Sequence, residues 1–148
     1  MGHDGASGLP DRTAVSERLD AMLATGLRPA VYVVAVDGYQ ELAERDPGGT
    51  SAAMDETTRR LDRLVRSSDV LGTSAPGTFL LIGSGVEPSV AGALVERIQG
   101  AAALPVDVAG EPVSLRVDIG LAFAMADSSA EALLSRAEDD LRRSRRAS

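Results

Sequence analysis

Apolar positions along the chain fall into short blocks whose spacing switches between helical and extended periods. Val15, Leu19, Met22 and Leu23 recur at three- and four-residue intervals, which predicts a helix over Asp11 to Ala24 that Gly26 can end in a left-handed conformation. Ala30 to Val36 is apolar on both faces and rich in β-branched residues, the pattern of a strand buried on both sides and central in a sheet. A short helix over Gly38 to Arg45 should stop at the breaker cluster Asp46-Pro47-Gly48-Gly49. Met54, Leu61, Leu64 and Val65 give Ser51 to Arg66 an apolar stripe, with Arg59, Arg60 and Arg63 mostly toward solvent. Val70 to Thr73 and Thr78 to Ile82 read as a hairpin around Ser74 to Gly77. Ser89 to Ala102 reads as a helix with Val90, Leu94, Val95 and Ile98 inward. A second hairpin should join Val106 to Val108, through Ala109-Gly110, to one long strand over Pro112 to Phe123. Ala130 to Arg145 closes the chain as a helix carrying Leu133, Leu134, Ala137 and Leu141.

A helix followed by β-α-α-β-β-α-β-β-α predicts the α/β (α+β) class: a mixed central sheet of split β-α-β type flanked by helices. Residues 1–10 read as a leader and 11–148 as the one domain, whose 148-residue chain is long enough to bury its own core.

Composition narrows the chemistry. A net charge of −7 argues against a nucleic-acid or anionic-membrane binder. With no Cys, thiol catalysis, disulfides and Cys-based zinc sites are excluded, and a lone His3 in the leader removes Ser-His-Asp triads and multi-His metal sites. Ala30 to Val36 is the longest apolar run and is too short to span a membrane, and the N-terminus lacks the regions of a signal peptide, so the chain is expected in the cytoplasm. All 15 basic residues are Arg, a usage common in GC-rich bacterial genomes.

With this element order in place, five stretches carry a family resemblance. Asp4 to Arg12 is similar to D-x-L-T-G-L-P-N-R, and Ala35-Val36-Asp37-Gly38-Tyr39 stands at D-[LI]-D-x-F. Ala75-Pro76-Gly77-Thr78-Phe79 stands at G-G-[DE]-E-F, Asp118-Ile119-Gly120 at S-I-G, and Ala137-Glu138 through Arg145 at A-D-x-A-L-Y-x-A-K. In this order they resemble a GGDEF domain, the diguanylate cyclase fold, over nearly the whole chain. The resemblance implies that positions 35 and 77 would carry the carboxylates that hold Mg²⁺ on GTP phosphates. Here they are Ala35 and Gly77, and neither offers the oxygen a hard cation requires. Ala75 and Pro76 replace the two glycines, and Thr78 replaces the following Glu. The guanine-recognising positions fall at about Ala43 and Ser51. Asp37 remains and reads as a strand-end carboxylate. Arg145 takes the place of a phosphate-contacting lysine. The resemblance therefore implies no catalytic residues, no metal and no required cofactor.

Another part of the pattern is kept. Arg66-Ser67-Ser68-Asp69 matches R-x-x-D, the family's inhibitory site for cyclic di-GMP, and Arg97 stands where a second arginine completes it. Two guanidinium groups can take guanine Hoogsteen edges and phosphates in bidentate fashion, and a carboxylate accepts from a guanine N–H. The alternative is structural: an Arg complementing a helix terminus and an Asp in the following turn. The Arg often found two residues before the signature is Thr73 here.

Three other features read more simply. Gly83-Ser84-Gly85 lacks the third glycine of a dinucleotide loop and reads as a turn, and the Arg142 to Arg146 cluster reads as a solvated helix end. Adjacent acids in Asp55-Glu56 and Asp139-Asp140 point about 100° apart on a helix and do not converge. The function implied is a catalytically inactive, stand-alone cyclic di-GMP receptor using Arg66, Asp69 and Arg97. It would regulate a partner protein, with a homodimer also open. A nucleotide-free interaction or dimerisation module and a GTP sensor without turnover are the alternatives.

Overall fold

The computed structural model describes residues 8–83, 87–108, 110–126 and 128–147. His3, residues Asp4 to Ser7 of the opening motif, Ser84-Gly85 and Ala109 lie outside them. In chain order the elements are α1 (Arg12–Ala24), β1 (Ala30–Val36), α2 (Tyr39–Arg45), α3 (Pro47–Asp62), β2 (Val70–Ala75), β3 (Thr78–Gly83), α4 (Pro88–Ala103), β4 (Val106–Val108), β5 (Glu111–Val113), β6 (Val117–Phe123) and α5 (Ala130–Ala147).

Every residue of β1 is buried, as its two-sided apolar pattern demands, and the strand lies inside a sheet ordered β2-β3-β1-β6. Tyr32, Val34 and Val36 point into the cluster formed with α3 and α4, including Ala53, Leu61 and Ile98. Val31, Val33 and Ala35 point into the opposite cluster, with Val15 and Leu19 of α1 and Leu133, Leu134 and Leu141 of α5. The α+β class and the split β-α-β arrangement hold, since β1 and β2 run the same way with β3 inserted between them. All three ladders are antiparallel, so the sheet is not mixed.

Several boundaries differ from those predicted. The cluster Asp46-Pro47-Gly48-Gly49 does not separate two helices with a loop. Asp46 is the N-cap of α3, its carboxylate accepts from the Gly49 N–H at 3.0 Å, and Pro47 occupies the first turn, where a missing N–H costs no hydrogen bond. The same helix stops at Asp62 and not Arg66, while Leu64 and Val65 still pack on the core from the loop beyond. The long final strand is interrupted: β5 pairs only with β4, and β6 restarts after Leu115 to pair with β1. Val90 is 52% exposed, because Ala91, Ile98 and Ala102 define the inward side of α4. Arg60 does not face solvent. Its guanidinium donates to the carbonyls of Leu104 (2.6 Å) and Pro105 (2.9 Å), satisfying backbone oxygens just past the C-terminus of α4.

Long-range polar contacts set α5 on the sheet. Arg12 at the start of α1 donates to both oxygens of Glu138 (3.2 and 3.1 Å) and to Glu131 (2.8 Å), and the Glu138 bond chiefly raises its pKa. Asp140 accepts from the Leu121 N–H at 2.8 Å and Arg136 donates to the Phe123 carbonyl, so α5 satisfies backbone groups on the open edge of β6. Gly120 of β6 lies under α5 so closely that a Cβ would stand 2.1 Å from the Ala137 carbonyl oxygen.

Tyr32 is fully buried and its hydroxyl has no hydrogen-bond partner among the described residues. Burial pushes the phenol up to about 12, with the Asp69 carboxylate adding to the shift. Its folded pKa lies above the ordinary 10.0, so this group's contribution to stability is full below pH 10 and is lost as pH rises through 12. A Tyr32→Phe variant should match the parent or exceed it in stability at neutral pH and lose less between pH 10 and 12. Urea melts across that range test this, and equal losses in the two proteins would contradict it.

Candidate functional site

The C-terminal end of β1, the start of α2 and the β2–β3 turn enclose a cleft of about 700 Å³. Ala35, the penultimate residue of β1, pairs with Thr78 of β3 on one side and Asp118 of β6 on the other, so the three residues stand side by side on one face. Ala35 is buried in the α1/α5 core and brings no side-chain oxygen to the cleft. Of the three, Asp118 supplies the carboxylate, and it is held by the Arg145 guanidinium at 3.1 Å from α5. Asp37 is exposed just past the strand, its N–H bonded to the Arg116 carbonyl at 2.8 Å.

The hairpin side of the cleft is shaped by Ala75, Pro76, Gly77 and Thr78. Gly77 adopts φ 77°, a conformation that disfavours any side chain, and a Cβ there would stand 2.5 Å from the Tyr39 ring. The Gly77 carbonyl accepts from the Val36 N–H at 2.9 Å, which ties the turn to the end of β1. The register slips between Thr73 and Ala75, a bulge next to the turn. Among the described residues, no three His, Cys, Asp or Glu side chains are arranged to hold a metal ion.

Behind Tyr39 and the hairpin lies a second hollow of about 300 Å³, between α2, α3 and the sheet. Ala43 and Ser51, the two positions singled out in the sequence, both line it, with Met54, Asp55 and Phe79. Thr50 also lines it, and its buried hydroxyl has no partner among the described residues. Sequence reasoning missed Thr50, Asp55 and the Tyr39 ring at this site. No spacing rule signals them, because they converge only when α3 docks beside the hairpin.

Arg66 and Asp69 come together in one tight turn between α3 and β2. The Asp69 N–H donates to the Arg66 carbonyl, and the Arg66 N–H donates to Asp69 Oδ2, both at 2.9 Å. The Arg66 guanidinium is exposed and makes no ion pair among the described residues. Because α3 ends at Asp62, Arg66 is not in its last turn and does not complement its dipole. Arg97 stands apart on the exposed side of α4, and no hydrogen bond joins it to Arg66 or Asp69. Thr73 is buried in β2, and its N–H donates to the Pro10 carbonyl at 2.9 Å.

The family described as "Diguanylate cyclase, GGDEF domain" matches residues 1–148. The chain belongs to the GGDEF family. Diguanylate cyclase DgcP of Pseudomonas aeruginosa is 28% identical over 153 residues, covering 97% of this chain. The chain spans 18% and 22% of the lengths of the curated relatives it matches. Among solved structures, a sensory box/GGDEF family protein from Caulobacter crescentus CB15 is 27% identical with a TM-score of 0.90, covering 100% of both chains. The GGDEF domain of DgcB from Caulobacter crescentus, in complex with c-di-GMP, is 17% identical with a TM-score of 0.88, covering 99% of this chain and 91% of that one, a likeness of fold alone.

Within this GGDEF domain, family motif residues have structural tasks that the geometry makes plain. Arg12 of the opening motif joins α1 to α5, and Gly120 admits the α5 backbone. No helix of the described residues is long and apolar enough to cross a membrane.

Proposed function

We propose that this GGDEF domain is a receptor for cyclic di-GMP without cyclase activity, and that it acts on a partner protein. The observation that carries the reading is the contrast between its two sites. At the cleft, Ala35 and Gly77 offer no side-chain oxygen, and Asp118 is bonded to Arg145. A pair of Mg²⁺ ions on triphosphate needs several carboxylate oxygens, and the residues present do not fit it. At the other site, the Arg66–Asp69 turn is closed by one backbone bond and by Asp69 Oδ2 accepting from the Arg66 N–H, which leaves the Arg66 guanidinium exposed beside a fixed carboxylate. The DgcB domain of the same fold binds this ligand.

In this reading Arg66 holds a guanine O6/N7 edge or a phosphate through two parallel N–H donors, Asp69 accepts from a guanine N–H, and Arg97 closes over the ligand from α4. Adenine presents an N6 donor where guanine presents O6, so cyclic di-AMP should bind at least about tenfold more weakly. Titration calorimetry should give micromolar cyclic di-GMP binding, and a flat trace from folded protein at high concentration would refute the receptor. GTP should bind no better than on the order of millimolar, because Pro76 lacks an N–H and the Tyr39 ring covers Gly77. Micromolar GTP affinity would instead favour a GTP sensor.

Incubated with GTP and Mg²⁺ or Mn²⁺, the protein should form no cyclic di-GMP above a buffer blank. Chromatography of the reaction checks this, and turnover by pure protein would overturn the inactive reading.

A further inference from the structure

The hollow between α2, α3 and the sheet has a chemistry that cyclic di-GMP binding at Arg66 does not use. At about 300 Å³ it lies at the small end of ligand pockets, with room for one ring and a short chain. Thr50, Met54, Asp55 and Thr58 line it from α3, spaced four, one and three residues apart, so they share one side of the helix. Met54, Ala43, Phe79 and the Tyr39 ring give it apolar walls. Two polar groups interrupt them. Thr50 is 2% exposed, and its Oγ1 has no hydrogen-bond partner among the described residues. A buried hydroxyl without a partner is costly, and a ligand atom placed beside it removes that cost. Asp55 is exposed at the rim and enters no hydrogen bond or ion pair among the described residues.

Charge and depth together select the occupant. Among the described residues, no Arg lines the hollow, so its one charged side chain is the Asp55 carboxylate, on a chain that carries a net charge of −7. An anion finds no counter-charge here, whereas a cation does. Ala43 and Ser51 bring only a methyl group and a hydroxyl, which do not match the several donors and acceptors on a guanine edge. We propose that the hollow binds an organic ammonium whose aromatic ring carries a hydroxyl. The ring packs on Met54 and Phe79, its hydroxyl shares a hydrogen bond with Thr50 Oγ1 at the buried end, and the ammonium meets Asp55 at the rim. The Tyr39 ring adds an aromatic surface, which attracts a cation. This use draws on none of Arg66, Asp69 and Arg97 and stands or falls apart from cyclic di-GMP binding.

Titration of the intact protein with tyramine, followed by its amide NMR shifts, tests the assignment. Saturable shifts are expected in α2, α3 and the β2–β3 turn, with Kd on the order of 100 µM. 2-Phenylethylamine lacks the ring hydroxyl and should bind the parent about tenfold more weakly. Thr50→Val keeps the side chain's shape and should weaken tyramine by about tenfold while leaving 2-phenylethylamine within about twofold of its parent value. It should melt no lower than the parent, since it gives up no hydrogen bond within the chain. Asp55→Asn, at an exposed position, should weaken both amines by about threefold, the worth of an exposed ion pair, and leave the uncharged 4-ethylphenol unaffected. Three results would each overturn the proposal: tyramine shifts that fail to saturate by about 10 mM or spread beyond the hollow, a Thr50→Val protein that weakens both amines equally or neither, and an Asp55→Asn protein that binds both amines as the parent does.

Discussion

Replacing Gly120 with alanine should destabilise the fold by roughly 3 kcal/mol or more, lowering the melting temperature by on the order of 10 °C. The added methyl would stand 2.1 Å from the Ala137 carbonyl oxygen, 2.6 Å from the Leu141 nitrogen and 2.8 Å from the Leu141 Cβ. Two of these are backbone atoms in the middle of α5 and cannot turn aside as a side-chain end can. The helix must lift from β6, loosening Leu133, Leu134 and Leu141 in the core and the Asp140 bond to the sheet edge. The same substitution at Gly92 provides the contrast, since a Cβ there meets nothing within 4 Å and alanine favours a helix by up to about 1 kcal/mol. Urea melts of the two variants should move in opposite directions. A Gly120→Ala protein with the parent's midpoint would show that α5 does not sit where it is described.

Gly120 also shows what the chain made legible and what it did not. Its place in Asp118-Ile119-Gly120 was read as part of a motif, but the reason for a glycine lies in a helix 17 to 21 residues away along the chain. The central strand was readable because burial on both faces leaves seven apolar residues in a row. The start of α3 was misread because Asp, Pro and Gly have two meanings: the residues that break a helix also cap and open one. Its end was misread because Leu64 and Val65 keep the apolar period while packing from a loop.

At the cleft, it is legible in the sequence that positions 35 and 77 carry no side-chain carboxylate. The placement of Asp118 beside Ala35 could not, because cross-strand neighbours are fixed by register and not by sequence distance. The same limit hid the bond from Arg145 to Asp118 and the cover that Tyr39 places over Gly77. Arg66 and Asp69 are legible as one unit because a four-residue turn is a local structure, whereas Arg97 lies on a separate helix and no hydrogen bond joins it to them.

That difference shapes the expected response of ligand binding to mutation. Arg66→Ala should lower cyclic di-GMP affinity by roughly ten- to a hundredfold, since a charge-assisted bidentate contact is typically worth about 1.5–3 kcal/mol. The guanidinium is exposed and makes no ion pair among the described residues, and alanine keeps the backbone N–H that Asp69 accepts, so the melting temperature should barely move. Asp69→Asn should weaken binding as well, by turning half of an acceptor into a donor. Its amide oxygen can still accept from the Arg66 N–H, so the turn should survive. Asp69→Ala removes that acceptor and should cost both affinity and some stability. Calorimetry and thermal melts on the three variants separate ligand contact from turn integrity. If Arg66→Ala binds cyclic di-GMP as the parent does, the site lies elsewhere. If Arg66→Ala and Asp69→Ala lose stability equally, the pair serves the turn alone.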